Sequence, residues 1–97
     1  MSNLPKEIER GSRAKNILED DLFVETFQLL KDSYQEAIFQ TAPNDDEGRL
    51  KIYLAYQILG KVENHFRVTM ETGKLASKQL EELRKKKYLH RILNQLK

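Results

Sequence analysis

Few residues in this chain have the type and spacing that chemistry needs. The two histidines, His65 and His90, lack the partner spacing of a metal-binding pair. No serine or threonine sits in a nucleophile elbow, and the glycines at positions 11, 48, 60 and 73 are too scattered to cradle a phosphate. Glu81 and Glu82 are adjacent, which on a helix points their carboxylates apart. The cluster Asn44, Asp45, Asp46 and Glu47 lacks the alternating ligands and central glycine of a calcium loop. Glu19, Asp20 and Asp21 read as a helix cap and not as a metal site, because carboxylates favour the positive end of a helix. The expectation is a non-enzymatic protein with no catalytic residue, no metal site and no cofactor.

One cluster is suited to binding. Arg84, Lys85, Lys86 and Lys87 are followed by Tyr88, His90 and Arg91. Cationic side chains neutralise phosphates and an aromatic can stack on a base, so the cluster suits nucleic acid. The same run also serves as a dock for an acidic partner or as a solvated helix face. No helix-turn-helix with a recognition helix is visible, so sequence-specific reading of DNA is not expected.

The elements that must carry these residues are helical. Phe23, Phe27, Leu30, Tyr34 and Ala37 step by four and three, as do Ile52, Ala55, Leu59, Val62, Phe66 and Thr69. At about 3.6 residues per turn each series forms one stripe. The turn-like run from Thr41 to Asp46, with Pro43 inside it, separates the two. These features predict an antiparallel hairpin of helices over residues 22–40 and 45–72, with Asn44 capping the second in a capping-box pattern with Glu47. Residues 4–18 are weakly patterned and broken by Gly11 and Ser12, which predicts a short or frayed helix. Gly60 inside the second helix predicts close approach of another backbone, and Gly73 reads as a C-cap before a third helix over residues 74–97.

Two apolar strips lie off the hairpin stripe. Leu50, Leu54, Ile58 and Val68 form one, and Tyr88, Leu89, Ile92, Leu93 and Leu96 form another, nearly opposite Ala76, Leu80 and Leu83. One straight helix cannot bury both faces against one hairpin, so either the chain breaks near Arg84 to Lys87 or the terminal stripe docks on another molecule. Leu50, Leu54, Ile58, Leu89, Ile92, Leu93 and Leu96 are accordingly the candidate oligomer or partner interface. The alternative is that the N-terminal segment and the C-terminal helix cover these strips within one subunit.

Ninety-seven residues allow one domain, here divided as an N-terminal segment 1–20, a hairpin 21–73 and a basic C-terminal helix 74–97. A core of that size is marginal, which makes partner chains an expected source of stability. The net charge of +2 hides a division: residues 1–48 hold five Lys/Arg against eleven Asp/Glu, and residues 49–97 hold twelve against four. With no cysteine, no membrane-length apolar run and no signal-peptide h-region at Met1 to Lys6, the expected location is the cytoplasm, away from membranes.

Glu9-Arg10-Gly11, Arg13-Ala14-Lys15, Ile17-Leu18-Glu19-Asp20, Phe23, Glu25 and Phe27 form one run of shared features. Asp46-Glu47-Gly48-Arg49, Lys61-Val62, His65-Phe66 and Glu71-Thr72-Gly73-Lys74-Leu75-Ala76 form the next. Together, over residues 7–80, they resemble short helical proteins of tailed bacteriophages that lie among packaging and virion-assembly genes. The architecture is similar to small terminase subunits, which oligomerise through a helical hairpin and present DNA to a packaging motor. The resemblance implies an all-α phage packaging or assembly factor in the host cytoplasm or the virion. Its expected partners are further copies of itself, DNA and other packaging or virion proteins. In this reading the hairpin builds the oligomer, and Arg84, Lys85, Lys86, Lys87 and Arg91 contact DNA or an acidic partner. The alternative is a protein-interaction or virion structural module with no nucleic-acid role, whose C-terminal helix enters a partner groove.

Overall fold

A computed structural model describes residues 3–96; Met1, Ser2 and Lys97, which fall in the expected N-terminal segment and C-terminal helix, lie outside the described residues. The described chain is all-α: α1 (Leu4–Glu19), α2 (Asp21–Gln40) and α3 (Asp46–Gln95). Asn3 caps α1 by accepting from the Lys6 N–H, and Pro5 in the first turn needs no helical donor there. Gly11 does not fray this helix, which runs unbroken through it.

Asp20 separates α1 from α2 by itself. Its backbone is extended at φ −68° and ψ 125°, its N–H donates to the Ile17 carbonyl, and its carboxylate accepts from the Phe23 N–H at 3.0 Å. One residue thus ends one helix and caps the next. At the other end of α2, Thr41 leaves helical geometry, with Pro43 close behind. Asp45, not Asn44, caps α3, accepting from the Gly48 N–H at 2.9 Å. The helix starts one residue later than predicted because this carboxylate reaches the third helical amide. Arg49 fastens the turn, donating to the Asp46 carboxylate at 2.8 Å and to the Ala42 carbonyl at 2.9 Å.

α1 and α2 follow one another along α3 and form one bent arm of a hairpin, with α3 as the other. The expected facing stripes meet. Phe23 stacks on Phe27 with ring centres 4.4 Å apart and meets Phe66 edge-on at 5.6 Å. Farther toward the turn, Lys31 pairs with Glu63 at 3.0 Å and Gln35 donates to the Tyr56 hydroxyl at 3.1 Å.

Gly73 does not cap a helix. It lies buried inside the 50-residue α3, against Gly11 of α1. A Cβ at either glycine would sit 2.7 Å from the other's Cα, and neither has a positive φ, so space and not backbone conformation requires glycine. Ala14 and Ala76, one turn along each helix, are the only buried hydrophobic side chains among the described residues. The close backbone approach expected at Gly60 therefore occurs at Gly73; nothing lies within 4 Å of a Cβ at Gly60.

The result is long and thin, 81 × 25 × 15 Å, with a radius of gyration of 22.1 Å where a compact domain of this length has ~13 Å. Its accessible surface is 8173 Å², against the ~5800 Å² that scaling gives a compact monomer of its mass.

Candidate nucleic-acid and partner interface

The face of α3 that packs on α1 ends at half-buried Leu80, opposite the start of α1. Beyond it α3 continues straight through Arg84, Lys85, Lys86 and Lys87 as an overhang of residues 81–96, about 24 Å long. No chain break occurs at the basic run. Lysine and arginine are good helix formers, and Glu81 supports Lys85 four residues on at 3.6 Å.

On this overhang the five basic candidates are all exposed but do not share one face. At about 100° per residue, Arg84, Lys87 and Arg91 fall within an arc of ~60°. That arc continues the side which, farther back, faces α1. Lys86 lies to one side of it and lines a shallow groove with Lys87, His90, Arg91 and Asn94. Lys85 projects into the apolar sector and is the one already paired, with Glu81. Tyr88 follows Arg84 by four residues and precedes Arg91 by three, so it borders the cationic arc where a stacked base or an arginine plane can reach it.

The other side carries Leu89, Ile92, Leu93 and Leu96, with Tyr88 at its edge beside the arc. Ile92 is half-buried and the rest are exposed, with nothing from the hairpin against them. Leu50, Leu54 and Ile58 are likewise exposed on the outer face of α3 near the turn. Neither α1 nor the terminal helix folds back over them, so among the described residues the two strips are not covered within the subunit. The structure thus leaves six of the seven candidate interface residues on α3 and the seventh, Leu96, as its C-cap, and separates them into a group near the turn and a group on the overhang.

Sequence reading missed Leu75, Tyr53, Leu29 and Phe39, all exposed apolar side chains. Leu75 was detectable: it stands seven residues beyond Val68, on the same outer line. His65, with Arg10 and Arg13, borders an open cleft at the α1–α3 crossing and has no acidic partner there. Among the described residues, no group of three or more His, Cys, Asp or Glu side chains is placed to hold a metal ion. No helix there is long and apolar enough to cross a membrane. No protein-family model, curated protein or solved structure matches this chain.

Proposed function

We propose that this chain is a non-enzymatic DNA-packaging or assembly factor of tailed bacteriophages, of small-terminase type. In this reading it oligomerises through the helical hairpin and uses the overhang of α3 to contact DNA. The observation that carries the reading is the overhang itself: a helical extension exposed at every described residue but Ile92, with a cationic arc on one side and apolar side chains on the other. A monomer gains nothing from holding such a helix in solvent, whereas an oligomer can cover its apolar side and leave Arg84, Lys87 and Arg91 toward a polyanion.

The test is retention of a short duplex DNA across a salt series. Wild-type retention should fall steeply, with a slope near 0.9 in log–log form for each phosphate neutralised. Changing Arg84, Lys85, Lys86, Lys87 and Arg91 together to serine should abolish it and leave the oligomer intact. The same five changed to glutamine, which keeps helix propensity, separates charge from helix loss. Lys85→Ser alone should matter less than Arg91→Ser, because Lys85 lies away from the cationic arc. Unchanged retention in the fivefold variants removes DNA from the proposal.

The apolar sector favours a second reading, in which the protein has no nucleic-acid role and Leu89, Ile92, Leu93 and Leu96 enter the groove of a virion or assembly partner. Deleting residues 88–97 would then abolish capture of that partner, in a protein with no salt-sensitive DNA affinity at the outset.

A further inference from the structure

The outer face of α3 carries an ordered line of exposed side chains. From the turn outward it reads Leu50, Leu54, Lys61, Val68, Leu75, Glu82, Leu89, Leu93, with successive spacings of 4, 7, 7, 7, 7, 7 and 4. A seven-residue repeat on a helix drifts only ~20° per step, so these side chains form a gently winding seam, opposite the stripe that packs on α1 and α2. Its six apolar members are between 48% and 59% exposed, and neither Lys61 nor Glu82 has an ion-pair partner among the described residues.

The line is palindromic. Reversed about a point between Glu71 and Thr72, Leu50 falls on Leu93, Leu54 on Leu89, Val68 on Leu75, and Lys61 on Glu82. Apolar residues meet apolar ones and Lys61 meets Glu82; of the exposed polar residues that fall on the same arc, Lys86 falls on Gln57 and Gln79 on Asn64, so no like charges are opposed along the line. Parallel in-register pairing would instead oppose Lys61 with Lys61 and Glu82 with Glu82. It would also lay two overhangs together, each with five Lys/Arg against two Asp/Glu over residues 81–96.

We propose that a second copy of this chain covers the seam, the two α3 helices packing antiparallel about a two-fold axis near Glu71 and Thr72, with Lys61 of each facing Glu82 of the other. The interface is isologous, so each overhang lies along the turn end of its partner's hairpin. The apolar side of residues 89–93 then covers Leu50 and Leu54, while Arg84, Lys87 and Arg91 stay toward solvent. The inference rests on the oligomeric half of the function proposed above and supplies the partner and its orientation.

The test is the association constant of the full chain, without DNA, by sedimentation equilibrium. Glu82→Lys and Lys61→Glu each place two like-charge contacts in the dimer and should each raise its dissociation constant about tenfold or more. The double variant Lys61→Glu/Glu82→Lys restores opposite charges and should return to the wild-type value. Because both positions are exposed and unpaired in the subunit, helix content should not change. An independent reading uses the absence of cysteine. Thr72→Cys, beside the axis, should be joined efficiently by a short bismaleimide, whereas Leu93→Cys side chains lie about 65 Å apart in the dimer and should not be. Efficient joining through Leu93→Cys, or an oligomer unmoved by any charge change, overturns the antiparallel pairing and leaves the oligomeric reading standing. A wild-type chain that stays monomeric overturns both.

Discussion

Glycine does two different things in this molecule, and one substitution tells them apart. At Gly11 and Gly73 a methyl group would stand 2.7 Å from a facing backbone atom, closer than packed carbons come, and neither helix can yield without moving the other. The helix propensity gained by alanine, up to about 1 kcal/mol, is smaller than the ~1–3 kcal/mol cost of overpacking. Gly11→Ala and Gly73→Ala should therefore lower the unfolding midpoint in urea. Gly60 has open space where a Cβ would go, so Gly60→Ala should raise stability by about 1 kcal/mol. An increase at all three positions would mean that α1 does not pack closely on α3. The same two glycines mark the limit of what the sequence could disclose. A glycine that stops a helix and a glycine that admits a neighbouring backbone look alike in one dimension. What distinguishes Gly73 is Gly11, on a helix at the other end of the chain.

At the scale of elements, local rules carried most of the fold. The stripes of α2 and of α3 up to Thr69 were legible because a period of 3.6 needs no knowledge of the partner, and the turn was legible because Pro43 and the acidic caps act within a few residues. Val62 and Leu30, expected at the facing stripe, sit at its exposed edge. Lys31 and Glu63 take part of that space, a polar pair that apolar patterning cannot predict. The basic candidates were visible as a run, but their division into a cationic arc and a displaced Lys85 depends on α3 continuing unbroken through residues 84–91, where the sequence also allowed a break near Arg84 to Lys87. The straight overhang has an energetic consequence. Since residues 81–96 are exposed, Ile92 apart, removing them should leave the subunit's own hairpin contacts untouched. A chain ending at Leu80 should keep the helical signal of the remaining residues. Under conditions where both proteins are monomeric it should unfold at the same midpoint, within about 0.5 kcal/mol. A large loss would mean that the overhang packs on its own subunit.

The whole molecule is thin and buries little of its own apolar surface. Two helices side by side leave each with one covered face, and the described residues bury only Ala14 and Ala76 among their apolar side chains. The excess of about 2400 Å² over a compact monomer exceeds what one partner contributes to a standard stable interface, ~800 Å². Large apolar side chains are among the exposed residues, including Phe39 at 88% and Leu22 at 71%. The seam of α3 accounts for one side only; Leu22, Leu29 and Phe39 lie on α2 and stay exposed in the proposed antiparallel pair. A fold whose stability comes from association has a thermal midpoint that depends on concentration, because unfolding then separates subunits as well as melting helices. For a dimer each tenfold rise in protein concentration adds about 1.4 kcal/mol to the stability of the assembled state. A scan from low to high micromolar protein should therefore move the midpoint upward by several degrees, and Glu82→Lys should lower the whole series while the Lys61→Glu/Glu82→Lys chain restores it. A midpoint that stays flat with concentration would place the stability inside the single hairpin and count against an obligate assembly.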